Sequence, residues 1–312
     1  MTLAWPRSSG LKLSRRELLR ATLGAAALVF NGVTLAAETM LRRPIPKSAE
    51  SLPVIGLGTW QTFDVGVSES ARAPLRDVLR ELVRGGNVVD SSPMYGQSES
   101  VVGDLAAGLH LRNELFLATK VWTSGREAGI RQMEQSFQRL RTQSMDLMQV
   151  HNLVDWRTQL ATLRQWKEQG KVRYVGVTHY TSSAYHELAR VLKSEDLDFV
   201  QINYSVAERE AERQILPLAG ERRIAVLVNR PFAQSGLFRK VRGKPLPEWA
   251  KELGCATWAQ LFLKFVVSHP TVTCAIPGTS NVQHLIDNMQ AGLPPLPDQS
   301  ARERMTRLLS EL

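Results

Sequence analysis

The stretch Asn87-Val88-Val89-Asp90-Ser91-Ser92-Pro93-Met94-Tyr95-Gly96 governs how the whole chain is read. An apolar pair ends in a carboxylate, and five residues later a tyrosine stands in a turn closed by glycine. If Val88 and Val89 lie in a buried strand, Asp90 sits at its carboxyl end and Tyr95 projects from the loop that follows. A strand-end acid with a loop phenol is how a parallel α/β protein assembles a proton-transfer site. Taken alone, the stretch fits equally well a helix-capping Asp90 and a Tyr95 that merely packs. Its surroundings separate the two readings.

Outward from it, short apolar runs alternate with helical patterns. The runs cover residues 54–58, 88–90, 115–119, 145–150, 174–178, 199–202, 225–228 and 273–277, eight in all. Several are β-branched and bounded by Gly, Pro or polar residues, as buried parallel strands are. Between them, Ile130, Met133, Phe137 and Leu140 recur at helical spacing. So do Leu160, Leu163 and Trp166, with Gly170 placed to stop the helix. Trp258, Leu261, Phe262, Phe265 and Val266 mark another helix before Pro270, and Val282, Leu285, Ile286 and Met289 a further one.

Eight strand–helix units in one domain over residues 38–312 predict an α/β fold of the (β/α)8 barrel type. A doubly wound sheet is the alternative. It calls for a glycine-rich phosphate loop, whereas Gly56-Leu57-Gly58-Thr59-Trp60 lacks the third glycine. Arg43-Pro44-Ile45 and Leu52-Pro53-Val54 flank a polar turn and can pair as a short hairpin closing the barrel floor.

The chain has 312 residues, 43% apolar and 22% charged, as expected of a globular protein with its own core. The net charge of +9 is partly frontal: Arg7, Lys12, Arg15, Arg16 and Arg20 face only Glu17 within residues 1–37. The remaining charge is scattered, which argues against a nucleic-acid surface. Cys255 and Cys274 allow neither a metal site nor a disulfide framework. A single bridge between them stays open, with buried inert thiols favoured.

Residues 1–37 read as an address and not as part of the fold. Ser14-Arg15-Arg16-Glu17-Leu18-Leu19 precedes an uncharged run from Ala21 to Ala37, with a small-residue exit at Thr34-Leu35-Ala36-Ala37. The run is too weak and short for a membrane span, so no stable anchor is expected. The paired arginines resemble the twin-arginine (Tat) signal, which implies the Tat export machinery as a partner and a periplasmic location. The alternative is an amphipathic leader helix retained in the cytoplasm.

Two more strand ends carry chemistry. Leu115-Phe116-Leu117-Ala118-Thr119-Lys120 ends in a lysine, and Met145-Asp146-Leu147-Met148-Gln149-Val150-His151 in a histidine. Adjacent strands lie roughly 5 Å apart, so Asp90, Tyr95, Lys120 and His151 can meet. A nearby ammonium is expected to lower the pKa of Tyr95 and suit it to protonating an alkoxide. Asp90 would hold Lys120, and His151 would orient a carbonyl.

At this point the chain resembles an aldo-keto reductase from Arg43 to its end. The resemblance rests on Gly56 to Trp60, Asp90-x4-Tyr95-Gly96, Ala118-Thr119-Lys120, Val150-His151, Gly170-Lys171-Val172-Arg173-Tyr174-Val175-Gly176-Val177, Gln201-Ile202-Asn203-Tyr204-Ser205 and Ile276-Pro277-Gly278-Thr279-Ser280-Asn281. It implies an NAD(P)H-dependent oxidoreductase that reduces an aldehyde or ketone. The small-molecule carbonyl would take hydride from nicotinamide and a proton from Tyr95, with Asp90, Lys120 and His151 completing the catalytic four. A monomer is expected.

The same resemblance implies cofactor contacts from Thr59, Trp60, Thr178, His179, Gln201, Asn229, Arg230, Pro231, Gly278, Thr279, Ser280, His284 and Asn288. Gln201 matches the glutamine that bonds the nicotinamide carboxamide. Thr178 replaces a usual serine and His179 a usual asparagine, and Asn229 stands where a stacking tyrosine is common. Arg230 is in reach of the pyrophosphate or of a surface acid. Gly278 and His284 replace a lysine and an arginine that hold the adenosine 2′-phosphate, so NADPH is expected with NADH left open. Trp60, Phe63, Met94, Trp122, Asn152 and Phe232 are expected to line the substrate pocket, and residues 233–247 to form a loop closing over the cofactor. A nicotinamide-binding sensor with little turnover is the alternative function. A barrel hydrolase using Asp90 and His151 is a third, without a metal-ligand cluster to support it.

Overall fold

The computed structural model describes residues 1–2 and 39–312. Apart from its first two residues, the expected address segment lies outside them. The described chain begins with a hairpin, β1 (Arg42–Pro44) paired antiparallel with β2 (Ser51–Pro53). Eight parallel strands follow in chain order around one sheet: β3 (Leu57–Gly58), β4 (Val88–Asp90), β5 (Phe116–Val121), β6 (Met145–His151), β7 (Val172–Thr178), β8 (Phe199–Asn203), β9 (Ala225–Asn229) and β10 (Val272–Ala275). The last strand returns to the first through the Ile55–Ala275 and Gly58–Gly278 bridges, and Gly56 N–H donates to Ala275 O at 2.8 Å. Closure needs glycine at 58, because a Cβ there would stand 2.7 Å from Ile276 O.

The crossovers carry α1 (Glu69–Leu82), α2 (Ser98–Gly108), α3 (Arg126–Arg139), α4 (Trp156–Glu168), α5 (Tyr185–Ser194), α6 (Ile215–Glu221), α7 (Gly236–Lys240) and α8 (Trp258–Ser268), and α9 (Val282–Gln290) and α10 (Gln299–Glu311) follow the last strand. Polar caps start several of them: Thr257 accepts from Gln260 N–H, Asn281 from Gln283 N–H and Asp298 from Ala301 N–H. Each such cap contributes about 1 kcal/mol.

Strand alternation sorts the side chains into two cores. Val89, Leu117, Met148, Val150, Val175, Val200 and Val226 pack outward under the helices. Val88, Phe116, Leu147, Tyr174, Phe199, Ala225 and Leu227 point into the barrel and meet Ile45 and Leu52 from the hairpin segment, which plugs the floor as expected. The same period of two carries Asp90, Lys120, Gln149, His151, Thr178 and Gln201 to the inside at the upper end.

Several strand boundaries differ from expectation, three of them with consequences for the barrel or its site. The first run pairs regularly only over Leu57–Gly58. The third extends to Val121, which puts Lys120 inside β5. The last is shifted to Val272–Ala275. Residues 233–247 are not loop throughout: they contain α7, held by the buried side chains of Leu237 and Val241. Cys255 and Cys274 are both buried free thiols, so the bridge left open does not form. Burial raises both thiol pKa values, that of Cys255 to about 11. Among the described residues no helix is long and apolar enough to cross a membrane.

Candidate active site

Asp90 ends β4, Lys120 lies near the end of β5 and His151 ends β6, so three neighbouring strands deliver three of the groups. Lys120 is fully buried. Its ammonium donates to Asp90 Oδ2 at 2.6 Å and to Ser91 O at 2.7 Å, and its Nζ lies 4.9 Å from the Tyr95 ring centroid. Burial works against the ammonium, but Asp90 and Tyr95 outweigh it, and the Lys120 pKa is raised. The other carboxylate oxygen, Asp90 Oδ1, accepts from Gln201 Nε2 at 2.8 Å and from Gln149 Nε2 at 3.4 Å.

Tyr95 comes from the β4–α2 loop. Gly96 closes that turn at φ +58°, and a Cβ there would collide with the Asp64 carboxylate. Asp64 instead accepts from Gln97 N–H at 2.9 Å and pins the loop. The expected lowering of the Tyr95 pKa does not hold. Burial raises it by more than Lys120 lowers it, so the phenol stays protonated at neutral pH. That is the form a proton donor needs, while Lys120 remains close enough to stabilise the phenolate left behind.

His151 is buried edge-on to Tyr95, with ring centroids 5.9 Å apart, and Trp122 lies 6.4 Å away on another side. Burial, then Lys120 and His179, push its pKa down to about 2, so the imidazole is neutral. Its Nδ1 faces Ser92 Oγ at 3.1 Å. Ser92 and Gln149 are participants the sequence reading passed over. Both stand in stretches already singled out, and Gln149 is two residues before His151 on the inward face.

The remaining candidates fall into three groups. Thr59 is buried and donates to Asp90 O at 3.0 Å, Thr178 donates to Gln201 Oε1 at 3.3 Å, and Thr279, Asn288 and Pro231 are buried near strand ends or on α9. Gly278, Ser280 and His284 are exposed around the start of α9. His179 Nδ1 accepts from Tyr180 N–H at 3.1 Å and its ring stacks on Tyr180, an exposed aromatic that the sequence reading did not pick out. Arg230 donates to Tyr180 O at 2.9 Å and pairs with Glu208 at 3.4 Å, so the surface acid, one of the two partners the sequence offers it, is within its reach.

For the pocket, Trp60, Met94 and Trp122 stand in the loops that follow β3, β4 and β5 at the upper rim and are 45%, 39% and 42% exposed. Phe63 does not belong to it: the ring is completely buried in the core between barrel and helices. Phe232 is engaged by Phe238 at 4.8 Å, which links it to Phe262 on α8.

The upper end also holds polar atoms with nothing to bond. Asn152 Oδ1, Gln149 Oε1, Asn229 Oδ1 and Arg230 Nε are buried without partners. Positive φ at Asn152, Leu153, Arg230, Ala233 and Gln234 marks the same loops. Unmet donors and acceptors beside Thr178 and Gln201 fit an amide-bearing, polar cofactor such as a nicotinamide dinucleotide.

The sequence profile of the Aldo/keto reductase family matches residues 54–305. Methylglyoxal reductase YeaE of Escherichia coli (strain K12) is 30% identical over 247 residues, covering 76% of this chain and 84% of that protein. An NADH-specific methylglyoxal reductase of the same strain is 26% identical over 250 residues, covering 68% of this chain and 73% of that protein. A crystal structure of an aldo-keto reductase from Klebsiella pneumoniae in complex with NADPH superposes with a TM-score of 0.73 at 27% identity, covering 87% of this chain and 95% of that one.

Proposed function

Since the chain belongs to the aldo/keto reductase family, we propose that Tyr95 is the proton donor in the reduction of an aldehyde or ketone to an alcohol. A reduced nicotinamide, when bound, supplies the hydride that goes to the carbonyl carbon. Gln201, Thr178, Asn229 and the start of α9 would hold it, and the strand ends turn that supply into chemistry. His151 points a neutral ring at the carbonyl and polarises it. As negative charge develops on the oxygen, the Tyr95 O–H bond breaks and its proton completes the alcohol. Lys120, fixed by Asp90, stabilises the phenolate until solvent returns a proton.

The observation that carries this reading is the buried Lys120–Asp90 pair set against the Tyr95 ring. It leaves a protonated phenol beside a fixed positive charge, which a pure cofactor binder does not need. Tyr95→Phe keeps the ring and removes the proton. Turnover is expected to fall about 10²–10⁴-fold with cofactor affinity unchanged. Turnover at the unmutated rate would assign the proton elsewhere.

Apolar walls at Trp60, Met94 and Trp122 favour carbonyls with an apolar flank. The names of the E. coli relatives make methylglyoxal the first carbonyl to assay. NADPH is the proposed cofactor, although Gly278 and His284 offer no pair of cations for a 2′-phosphate. Titration of residues 38–312 with NADPH and with NADH, followed by nicotinamide fluorescence, separates the two. Export is also proposed, on Arg15-Arg16 and the uncharged run after them. Replacing both arginines with lysine should retain a reporter fused to residues 1–37 in the cytoplasm.

A further inference from the structure

The ring of His151 can carry its one proton on either nitrogen, and only one of the two forms presents a donor to a carbonyl. The surroundings of Nδ1 decide which. Ser92 Oγ, fully buried, lies 3.1 Å from it. The same oxygen accepts from Met94 N–H at 3.3 Å. A hydroxyl has one hydrogen to give, and among the described residues the one acceptor within reach of Ser92 Oγ is His151 Nδ1. If Nδ1 held the ring proton, the Ser92 hydrogen would be buried with nothing to bond, a state that buried hydroxyls avoid.

We propose that Ser92 is a positioning residue that donates to His151 Nδ1 and so fixes the ring proton on Nε2. The backbone N–H of Met94 holds the hydroxyl oxygen, and the hydroxyl holds the ring. Edge-on packing against Tyr95 and the Trp122 contact keep the plane from turning. Nε2–H then faces the site as a fixed donor next to the phenol. One carbonyl oxygen receives a hydrogen bond from the imidazole and a proton from Tyr95. The role deepens the reductase reading and rests on it for its purpose, though the tautomer itself does not depend on turnover.

Nitrogen-15 spectra of the histidine-labelled full chain, with His151 assigned by its loss in His151→Gln, test this directly. The expected spectrum shows an unprotonated, hydrogen-bonded Nδ1 and a protonated Nε2 at neutral pH. A protonated Nδ1 would overturn the proposal whatever the enzyme turns over. In Ser92→Ala, the Nδ1 signal should move to the position of an unbonded acceptor. The turnover number should fall about tenfold with cofactor affinity and the denaturation midpoint little changed. Ser92→Thr, which keeps the hydroxyl, should restore both signal and rate. If Ser92→Ala leaves the Nδ1 signal in place, or weakens only folding or cofactor binding, Ser92 is structural and the assignment falls. A correct tautomer in a protein that reduces no carbonyl would instead sink the reductase reading and leave the hydrogen bond standing.

Discussion

The lower and upper halves of the barrel interior are built by the same strands and differ in everything that water would notice. On β5, Phe116 and Ala118 fill the lower half and Lys120 the upper. On β6 the inward sequence is Leu147, Gln149, His151, and on β8 it is Phe199 and then Gln201. Below, Phe116, Tyr174 and Phe199 pack ring to ring at 5.6–6.1 Å, closed by Ile45 and Leu52. Above, two amides and an ammonium surround one carboxylate. The difference teaches that the lower half holds the strands in register so that the upper half can keep charges and orphan polar atoms where solvent cannot relax them.

If the halves divide stability from chemistry in this way, substitutions in each should separate the two properties. Lys120→Met is the change that should break the division. It leaves Asp90 buried without its cation and should cost about 3–5 kcal/mol of stability. The same change should reduce turnover by about 10²-fold or more, because the phenolate loses its countercharge. Urea unfolding and steady-state rates measure the two together. Phe199→Ala in the lower half should cost a similar 3–5 kcal/mol through the cavity it opens. The rate per folded molecule should stay near that of the parent, and a matching loss of rate would show that the halves are mechanically coupled.

A smaller effect comes from protons. His151 has its pKa pushed down to about 2 by burial, and His269, in the turn leading into β10 at the floor, to about 4 by burial and Arg302. The unfolded chain binds protons at both near pH 6.5 while the folded chain does not. Stability should therefore decline as pH falls below about 6.5, by about 2 kcal/mol at pH 5 for His151 alone. His151→Gln should flatten that decline, and an unchanged slope would mean that the ring is protonated in the folded protein. The smallest expected effect is Arg173→Met. This arginine joins Asp146 at 2.7 Å and Glu50 on the outside of the floor, is 40% exposed, and should contribute about 0–1 kcal/mol. Thermal melts at low and high salt would detect a larger share.

Sequence pattern exposed this architecture because its signals are local. Asp90, Lys120 and His151 mark three places where an apolar run ends in a polar inward residue. Tyr95 was legible through its fixed distance from Asp90 and the turn glycine. What stayed hidden depends on distance through space. Ser92 and Gln149 are ordinary residues until the fold sets them beside His151 and Asp90. Phe63 looked like a pocket wall because an aromatic in a strand-end loop carries no sign of which way it turns. Whether a lysine or burial prevails at Tyr95 depends on how much water surrounds the ring, and no spacing encodes that. Arg230 offered two partners in the sequence, and only the fold brings Glu208 to it.

The open rim has a consequence for how such a protein diversifies. Asp90, Lys120 and His151 are anchored in strands, whereas Trp60, Met94 and Trp122 lie beyond the strand cores and are more than a third exposed. Descendants can therefore exchange the proposed walls by single substitutions or short insertions and inherit the proposed proton machinery intact. One reaction can be passed from carbonyl to carbonyl, with selection working on the loops and leaving the barrel alone.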